Sequence, residues 1–393
     1  LKRPSNLEAL SPSLSRSPSG LKRPMASTSQ SMAEATFATR PQASLWEWLP
    51  DSATIYRDLT FKSTPQQDKE YNAQTHFKGM KMTFKPDDSS AAWFDGMRWT
   101  NWTANHWEVA LVFVALYFIL IPTLRRMVAR SGKWDVKNLA FYWNASLSIF
   151  SWLGVFACVP VLASSFVQHG LYFTCCAPAG WYGGGLSGFF VLLFVCSKIA
   201  ELMDTVLLLL AGKSVIALQW WHHSTVLLYC WHSYSTRIAT GLWFAAMNYS
   251  VHSVMYGYFA LTATPFRKHI TPYAIFITLV QLLQMLVGMF VTILAVMYQN
   301  AGQDCHVNRT NSVLGLTMYS SYFVFFFKLF VDNYVTKALK ANRAEGLPPK
   351  KKTVAELTRS VTRELTNKII PQMDTEEDET EDQKKAGENK KVN

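Results

Sequence analysis

The chain has 393 residues, 49% of them hydrophobic, 14% aromatic and 17% charged, with a formal net charge of +11. That length would accommodate two ordinary soluble domains, but the apolar residues are concentrated between about 107 and 335 and the charges lie at the ends, which excludes that division. The positive balance does not mark a nucleic-acid partner, because it is split among short loops and a tail instead of forming one basic face.

In chain order, residues 1–105 form an N-terminal region. Its first part, 1–31, is Ser- and Pro-rich and repeats LKRP at 1–4 and 21–24. It reads as disordered or as translated upstream sequence with Met25 or Met32 as the natural start; an organelle transit peptide of similar composition is the competing reading. Trp46, Trp48, Trp93, Trp99 and Trp102 precede the first long apolar stretch, where aromatics suit a membrane interface. Seven apolar stretches follow, at 107–124, 139–163, 186–211, 215–234, 242–263, 273–298 and 312–335. About 20 apolar residues suffice to cross a bilayer as a helix. The expected fold is therefore an all-α integral membrane protein with seven transmembrane helices over 106–338. A disordered tail, charged and without apolar periodicity, is expected over 339–393.

The cations set the orientation. Arg125, Arg126, Arg130, Lys133 and Lys137 follow the first span, Lys213 the third, and Arg267 and Lys268 the fifth. Lys337, Lys340, Arg343, Lys350, Lys351 and Lys352 follow the seventh. The opposite side carries only Arg237 and Arg309. By the positive-inside rule the first group and the C-terminus are cytosolic. Lys390 and Lys391, four and three positions from the end, then resemble a dilysine retrieval signal, which places the protein in the endoplasmic-reticulum membrane. Of the NxS/T sequons, Asn144 and Asn248 fall inside spans, whereas Asn308 falls in a lumenal loop. Cys175, Cys176 and Cys305 also fall in lumenal loops, where Cys305 is expected to pair with Cys175 or Cys176. Cys158, Cys196 and Cys230 read as packing residues within spans.

Ionisable groups inside a span are costly and usually face the bundle interior. Span three carries Lys198, Glu201, Asp204 and Thr205; on a continuous helix Lys198, Glu201 and Thr205 share a face. Span four places Gln219, His222 and His223 on one face. Span five carries a stripe of Asn248, His252, Met255, Tyr256 and Phe259, and span six carries Thr278, Gln281 and Gln284. Three chemistries could use such a set. A di-iron desaturase-like centre needs about eight His ligands, and most of the nine His in this chain lie away from the cluster. A seven-span transporter or receptor could use polar groups as a relay. A dry pocket for nucleophilic acyl transfer, with a neutral imidazole as attacking group, accounts best for their concentration near one membrane face.

At these residues the sequence resembles the fatty-acid elongase (ELO) family. Four motifs match in order and spacing: KxxExxDT at Lys198–Thr205, the histidine box at Gln219–His223, NxxxHxxMYxY at Asn248–Tyr258, and TxxQxxQ at Thr278–Gln284. The resemblance covers about 105–340, and the flanking words are most similar to the branch handling saturated and monounsaturated long chains. One departure is Gln219, since the family box is usually HxxHH; some elongases of fungi, algae and protists that act on polyunsaturated chains are similar in carrying Gln there.

The resemblance implies six of seven helices in a barrel around an acyl tunnel, and condensation of a long-chain acyl-CoA with malonyl-CoA with loss of CO2. His222 and His252 would be the imidazoles facing the acyl carbonyl, with His223 as assisting base or orienter. Lys198, Glu201 and Asp204 would position the box and substrate, with Gln219 in that box. Asn248, Tyr256, Gln281 and Gln284 would supply hydrogen bonds. No bound cofactor or metal is expected. The expected partners are acyl-CoA, malonyl-CoA and membrane lipid, with a homodimer and other elongation-cycle enzymes left open and no nucleic acid.

Overall fold

The computed structural model describes residues 50, 76–77, 80–81 and 93–336. Trp46 and Trp48, the candidate starts Met25 and Met32, and the tail with Lys390 and Lys391 lie outside the described residues. Apart from an antiparallel pairing of His76–Phe77 with Met80–Lys81, the described chain is helical. The helices are α1 (Gly96–Asn105), α2 (Trp107–Ser131), α3 (Lys137–Cys176), α4 (Gly185–Ala200), α5 (Met203–Leu210), α6 (Ala217–Ser235), α7 (Gly241–Thr262), α8 (Arg267–Ile270), α9 (Ala274–Asn300) and α10 (Arg309–Phe330). A short π-helical turn, Val331–Val335, continues α10.

Among the described residues, five segments are long and apolar enough to cross a bilayer: Trp107–Ser131, Lys137–Cys176, Gly185–Leu210, Arg267–Asn300 and Arg309–Val335. The protein is thus a multi-pass membrane protein. Helices α6 and α7 do not reach that hydropathy, although their 19 and 22 residues correspond to roughly 28–33 Å of helix at 1.5 Å per residue. The reason is compositional, since they carry the histidine box and the Asn248–Tyr256 stripe. Outward faces are apolar where lipid would lie, as with Leu111, Leu116 and Ile119 of α2, each more than half exposed.

Several boundaries differ from those read from hydropathy. Helix α2 continues to Ser131, so Arg125, Arg126 and Arg130 stand on its last turns and not in a loop. Helix α3 runs 40 residues to Cys176, with Gly170 at φ 79° forming a kink; only a residue without Cβ adopts that angle at no steric cost. Span three is not one helix. Between α4 and α5 the amides of Leu202, Asp204 and Thr205 bond to the carbonyls three residues earlier, at 3.1–3.2 Å. Such a tightened turn advances each residue by about 120° instead of 100°, which swings Thr205 off the face of Lys198 and Glu201.

Helix α3 packs along most of α7, α9 along α10 and α7, α10 along α6, and α4 against α6, α3 and α7. Helix α2 packs on α5 and α6. The connections 132–136, 211–216 and 263–266 therefore share one end of the bundle, and 177–184, 236–240 and 301–308 share the other. Glycines allow aromatic rings to seat between helices: a Cβ at Gly154 would lie 2.4 Å from the Tyr249 ring, and one at Gly288 2.9 Å from Tyr319.

The far end is tied by backbone bonds, Ala239 N–H to His306 O at 3.0 Å and His306 N–H to Cys176 O at 2.9 Å. Phe77 is buried there against Tyr172, Phe173 and His306. Two basic residues of that end are engaged: Arg237 is buried and donates from Nε to Thr100 Oγ1, and Arg309 donates from Nε to Gln299 Oε1, each at 3.1 Å. Asn308 caps α10 by accepting from Asn311 N–H.

Cys176 and Cys305 are joined by a disulfide, whereas Cys175 is a buried thiol. Cys158 and Cys230 are buried in the core, but Cys196 is exposed on the outer face and packs no interior. The disulfide links positions 129 residues apart. Its removal by Cys176→Ser is expected to cost about 2–4 kcal/mol and to lower the melting temperature in detergent. The non-reducing gel shift should vanish in Cys176→Ser and persist in Cys175→Ser.

Candidate active site

Four helical segments bring the polar residues together toward the end carrying the 211–216 connection. Lys198, on the last turn of α4, is almost fully buried, as is Glu201. Lys198 Nζ donates to Glu201 Oε1 at 2.6 Å and to Asn248 Oδ1 of α7 at 3.0 Å, and stands 4.4 Å from the centroid of the Phe194 ring. Ser197 Oγ also donates to Glu201 Oε1, at 3.1 Å. A buried ion pair is tolerated only when further hydrogen bonds complete it, and here Ser197 and Asn248 complete it.

This network fixes the protonation pattern of His252. An ammonium can only donate, so the Asn248 amide must turn its oxygen to Lys198 and its NH2 to the other side. That NH2 meets His252 Nε2 at 3.0 Å, one helical turn along α7. His252 Nε2 therefore accepts, and the neutral ring carries its proton on Nδ1, which faces Glu201 Oε1 at 3.9 Å.

The histidine box lies on the second turn of α6. The rings of His222 and His223 are perpendicular, with centroids 5.2 Å apart. His222 packs on Tyr322 of α10 at 4.8 Å, and Tyr322 OH donates to the His222 carbonyl at 3.2 Å. Neither ring nitrogen of His222 has a hydrogen-bond partner among the described residues. His223 is buried; its Nε2 meets Gln219 Nε2 at 2.9 Å, and Gln219 Nε2 also reaches Thr205 Oγ1 at 3.3 Å. Two buried polar atoms here have no partner among the described residues, His223 Nδ1 and Glu201 Oε2.

Not every expected site residue joins this group. Asp204 turns away, because both its oxygens are taken: Trp143 Nε1 of α3 donates to Oδ1 at 2.7 Å, and Tyr256 OH to Oδ2 at 2.8 Å. It braces α3, α5 and α7, and Tyr256 in turn packs edge-on against the His252 ring at 5.2 Å. Gln281 donates to Met255 Sδ, and Gln284 is buried one turn further along α9; neither hydrogen-bonds to a histidine among the described residues. Phe259 is exposed on the outer face of α7 and drops out of the stripe. Tyr117, Trp143, Ser197 and Tyr322 join the site without having stood out in the sequence. They are apolar-span residues of ordinary type, and only their partners across the bundle distinguish them.

A profile described as "ELO: GNS1/SUR4 family" matches residues 102–342. The chain belongs to the ELO (GNS1/SUR4) family. It is 38% identical over 245 residues to very long chain fatty acid elongase 6 of Gallus gallus, covering 62% of this chain and 91% of that protein. It is 36% identical over 282 residues to fatty acid elongase 3 of Trypanosoma cruzi, covering 64% and 93%. Very long chain fatty acid elongase 6 of Homo sapiens is 37% identical over 245 residues, covering 62% and 91%. The matched stretch of this ELO-family protein includes every site residue from Tyr117 to Tyr322.

Proposed function

We infer that this ELO-family protein is the condensing enzyme of fatty-acid elongation, joining a long-chain acyl-CoA to malonyl-CoA with loss of CO2 to give a 3-oxoacyl-CoA two carbons longer. The observation that carries the mechanism is the convergence of His222, His223 and His252 around the buried Lys198–Glu201 pair. The ring of His222 is free to attack, whereas the Nε2 lone pair of His252 is occupied by Asn248. His222 is therefore the nucleophile. Its ring nitrogen adds to the acyl thioester carbonyl, the C–S bond breaks, and CoA leaves as a thiol with the proton released from the imidazole. Loss of CO2 from malonyl-CoA leaves the bond electrons on the adjacent carbon. That carbon attacks the acyl-imidazole, the C–N bond breaks, and His222 regains a proton taken up from solvent. His252, with Nδ1–H toward Glu201, lies beside this centre to hold or return a proton. Gln219 positions His223, Asn248 positions His252, and Asp204 holds Tyr256 against His252. Gln281 and Gln284 face the substrate chain further along α9.

The same reading takes α6 and α7 as two further spans, making seven. The circuit of neighbours α3–α4–α6–α10–α9, with α7 packed on α3 and α9, supports a six-helix barrel around the acyl chain, with α2 outside. The basic residues at the 211–216 end support a cytosolic position for that end, with CoA entering there from the face of an endoplasmic-reticulum membrane. Lys213 lies in that connection, and burial together with the nearby Arg267 charge holds its ammonium below the usual lysine range. Cations crowded in this way favour an anionic ligand, and the phosphates of CoA supply one. The reaction needs no bound metal or cofactor.

Expression in a host lacking elongase activity tests this. Microsomes should form 3-oxoacyl-CoA only when both acyl-CoA and malonyl-CoA are present, and metal chelation should leave turnover in place. Activity independent of malonyl-CoA would favour transport or signalling, and two iron atoms per purified chain would favour a desaturase-like centre.

A further inference from the structure

The His223 ring is held by a chain of contacts that begins outside the four motifs. Tyr117, on α2, is buried with its hydroxyl 2.8 Å from Thr205 Oγ1 on α5. Thr205, also buried, is 3.3 Å from Gln219 Nε2 on α6, and the same nitrogen is 2.9 Å from His223 Nε2. An amide NH2 has two hydrogens and no lone pair to offer. It therefore donates to both neighbours, so His223 Nε2 accepts and the neutral ring carries its proton on Nδ1. That N–H has no partner among the described residues, and Glu201 Oε2 is a second buried atom without one. A buried N–H left unsatisfied is costly unless a ligand completes it. In the condensation reading above, on which this step rests, the group that arrives is a thioester whose carbonyl oxygen becomes negative during attack, and a fixed donor stabilises that oxygen.

We propose that Tyr117 and Thr205 are positioning residues that act through Gln219 to hold His223 as an Nδ1–H donor to the developing oxyanion. The helix break at Glu201–Leu202 is what makes this possible. On an unbroken helix Thr205 would share the face of Lys198 and Glu201; the tightened turn instead directs it to α2 and to Gln219. Tyr117 also packs on Leu202 and Leu227, so its ring and its hydroxyl have separable roles.

The test uses the full-length protein in nanodiscs, labelled with 15N-histidine, with the His223 signal identified by its loss in His223→Gln. Wild type is expected to show the Nδ1–H tautomer. Tyr117→Phe keeps the ring and should lower kcat about tenfold with an unchanged KM for acyl-CoA, the size of one neutral hydrogen bond. Thr205→Val should do the same and Thr205→Ser should recover most of it, which reads the contact should Tyr117→Phe fail to accumulate. Gln219→Glu offers only acceptors; it should convert His223 to the Nε2–H tautomer and lower kcat about a hundredfold. Adding Tyr117→Phe to Gln219→Glu should then cost no more, because the chain is already broken. An Nε2–H tautomer in wild type, full turnover in Tyr117→Phe and Thr205→Val, or additive losses in the double variant would overturn the proposal while condensation stands. A wild-type protein forming no 3-oxoacyl-CoA would overturn the condensation reading and this step with it.

Discussion

His222→Ala and His252→Ala each lower condensation by about a thousandfold or more, while both proteins still accumulate in the membrane. Removing His222 removes the attacking nitrogen. The replacement leaves Tyr322 packed on less but breaks no hydrogen bond of the ring among the described residues. Removing His252 frees the Asn248 NH2 and takes away the proton facing Glu201. The two variants should differ in kind. With labelled acyl-CoA alone, wild type should form an acid-trappable acyl-protein adduct. His222→Ala should form none, whereas His252→Ala should retain the adduct in part. Near-normal turnover in either variant, measured in microsomes by product formation, would refute the two-imidazole arrangement.

The second large effect concerns the buried ion pair. Among the described residues, Lys198→Met leaves Glu201 charged in the interior with Ser197 as its one hydrogen-bond donor, and Glu201→Met leaves Lys198 with Asn248 as its one hydrogen-bond acceptor. Breaking one side of such a pair costs about 3–5 kcal/mol, because the remaining charge is buried without compensation. Each single variant should therefore lower thermal stability sharply and lose activity. Replacing both partners removes both charges at once, and the Lys198→Met, Glu201→Met protein should recover most of the lost stability. It should not recover activity, because Asn248 would no longer be forced to turn its NH2 to His252. A double variant as unstable as the singles would show that the pair contributes packing that methionine cannot replace. A double variant with restored turnover would show that the network does not set the His252 tautomer.

Much of this protein is legible from the chain alone. Long apolar stretches have few solutions in lipid other than helices, since every backbone polar group must be satisfied within the segment. Hence the membrane class, the approximate helices and the family follow from composition and four spaced motifs. The histidines, Lys198, Glu201 and Asn248 stand out for the same reason, because polar groups are conspicuous where water is excluded. The tertiary structure decided what each of these residues touches. Hydropathy cannot register a tightened turn at Glu201–Leu202, because the residues remain apolar enough on either side; yet that turn swings Thr205 off the face of Lys198. Asp204 has the residue type of a site acid, but Trp143 and Tyr256 take both its oxygens and make it a brace. Tyr117 and Tyr322 look like ordinary span residues, and only their partners across the bundle link Tyr117 through Thr205 and Gln219 to His223 and seat Tyr322 on His222. The sequence by itself determined which groups are buried against the preference of the solvent. Helix packing determined which lone pairs remain free, because hydrogen-bond direction depends on contacts between helices, as where Lys198 turns the amide of Asn248, 50 positions away.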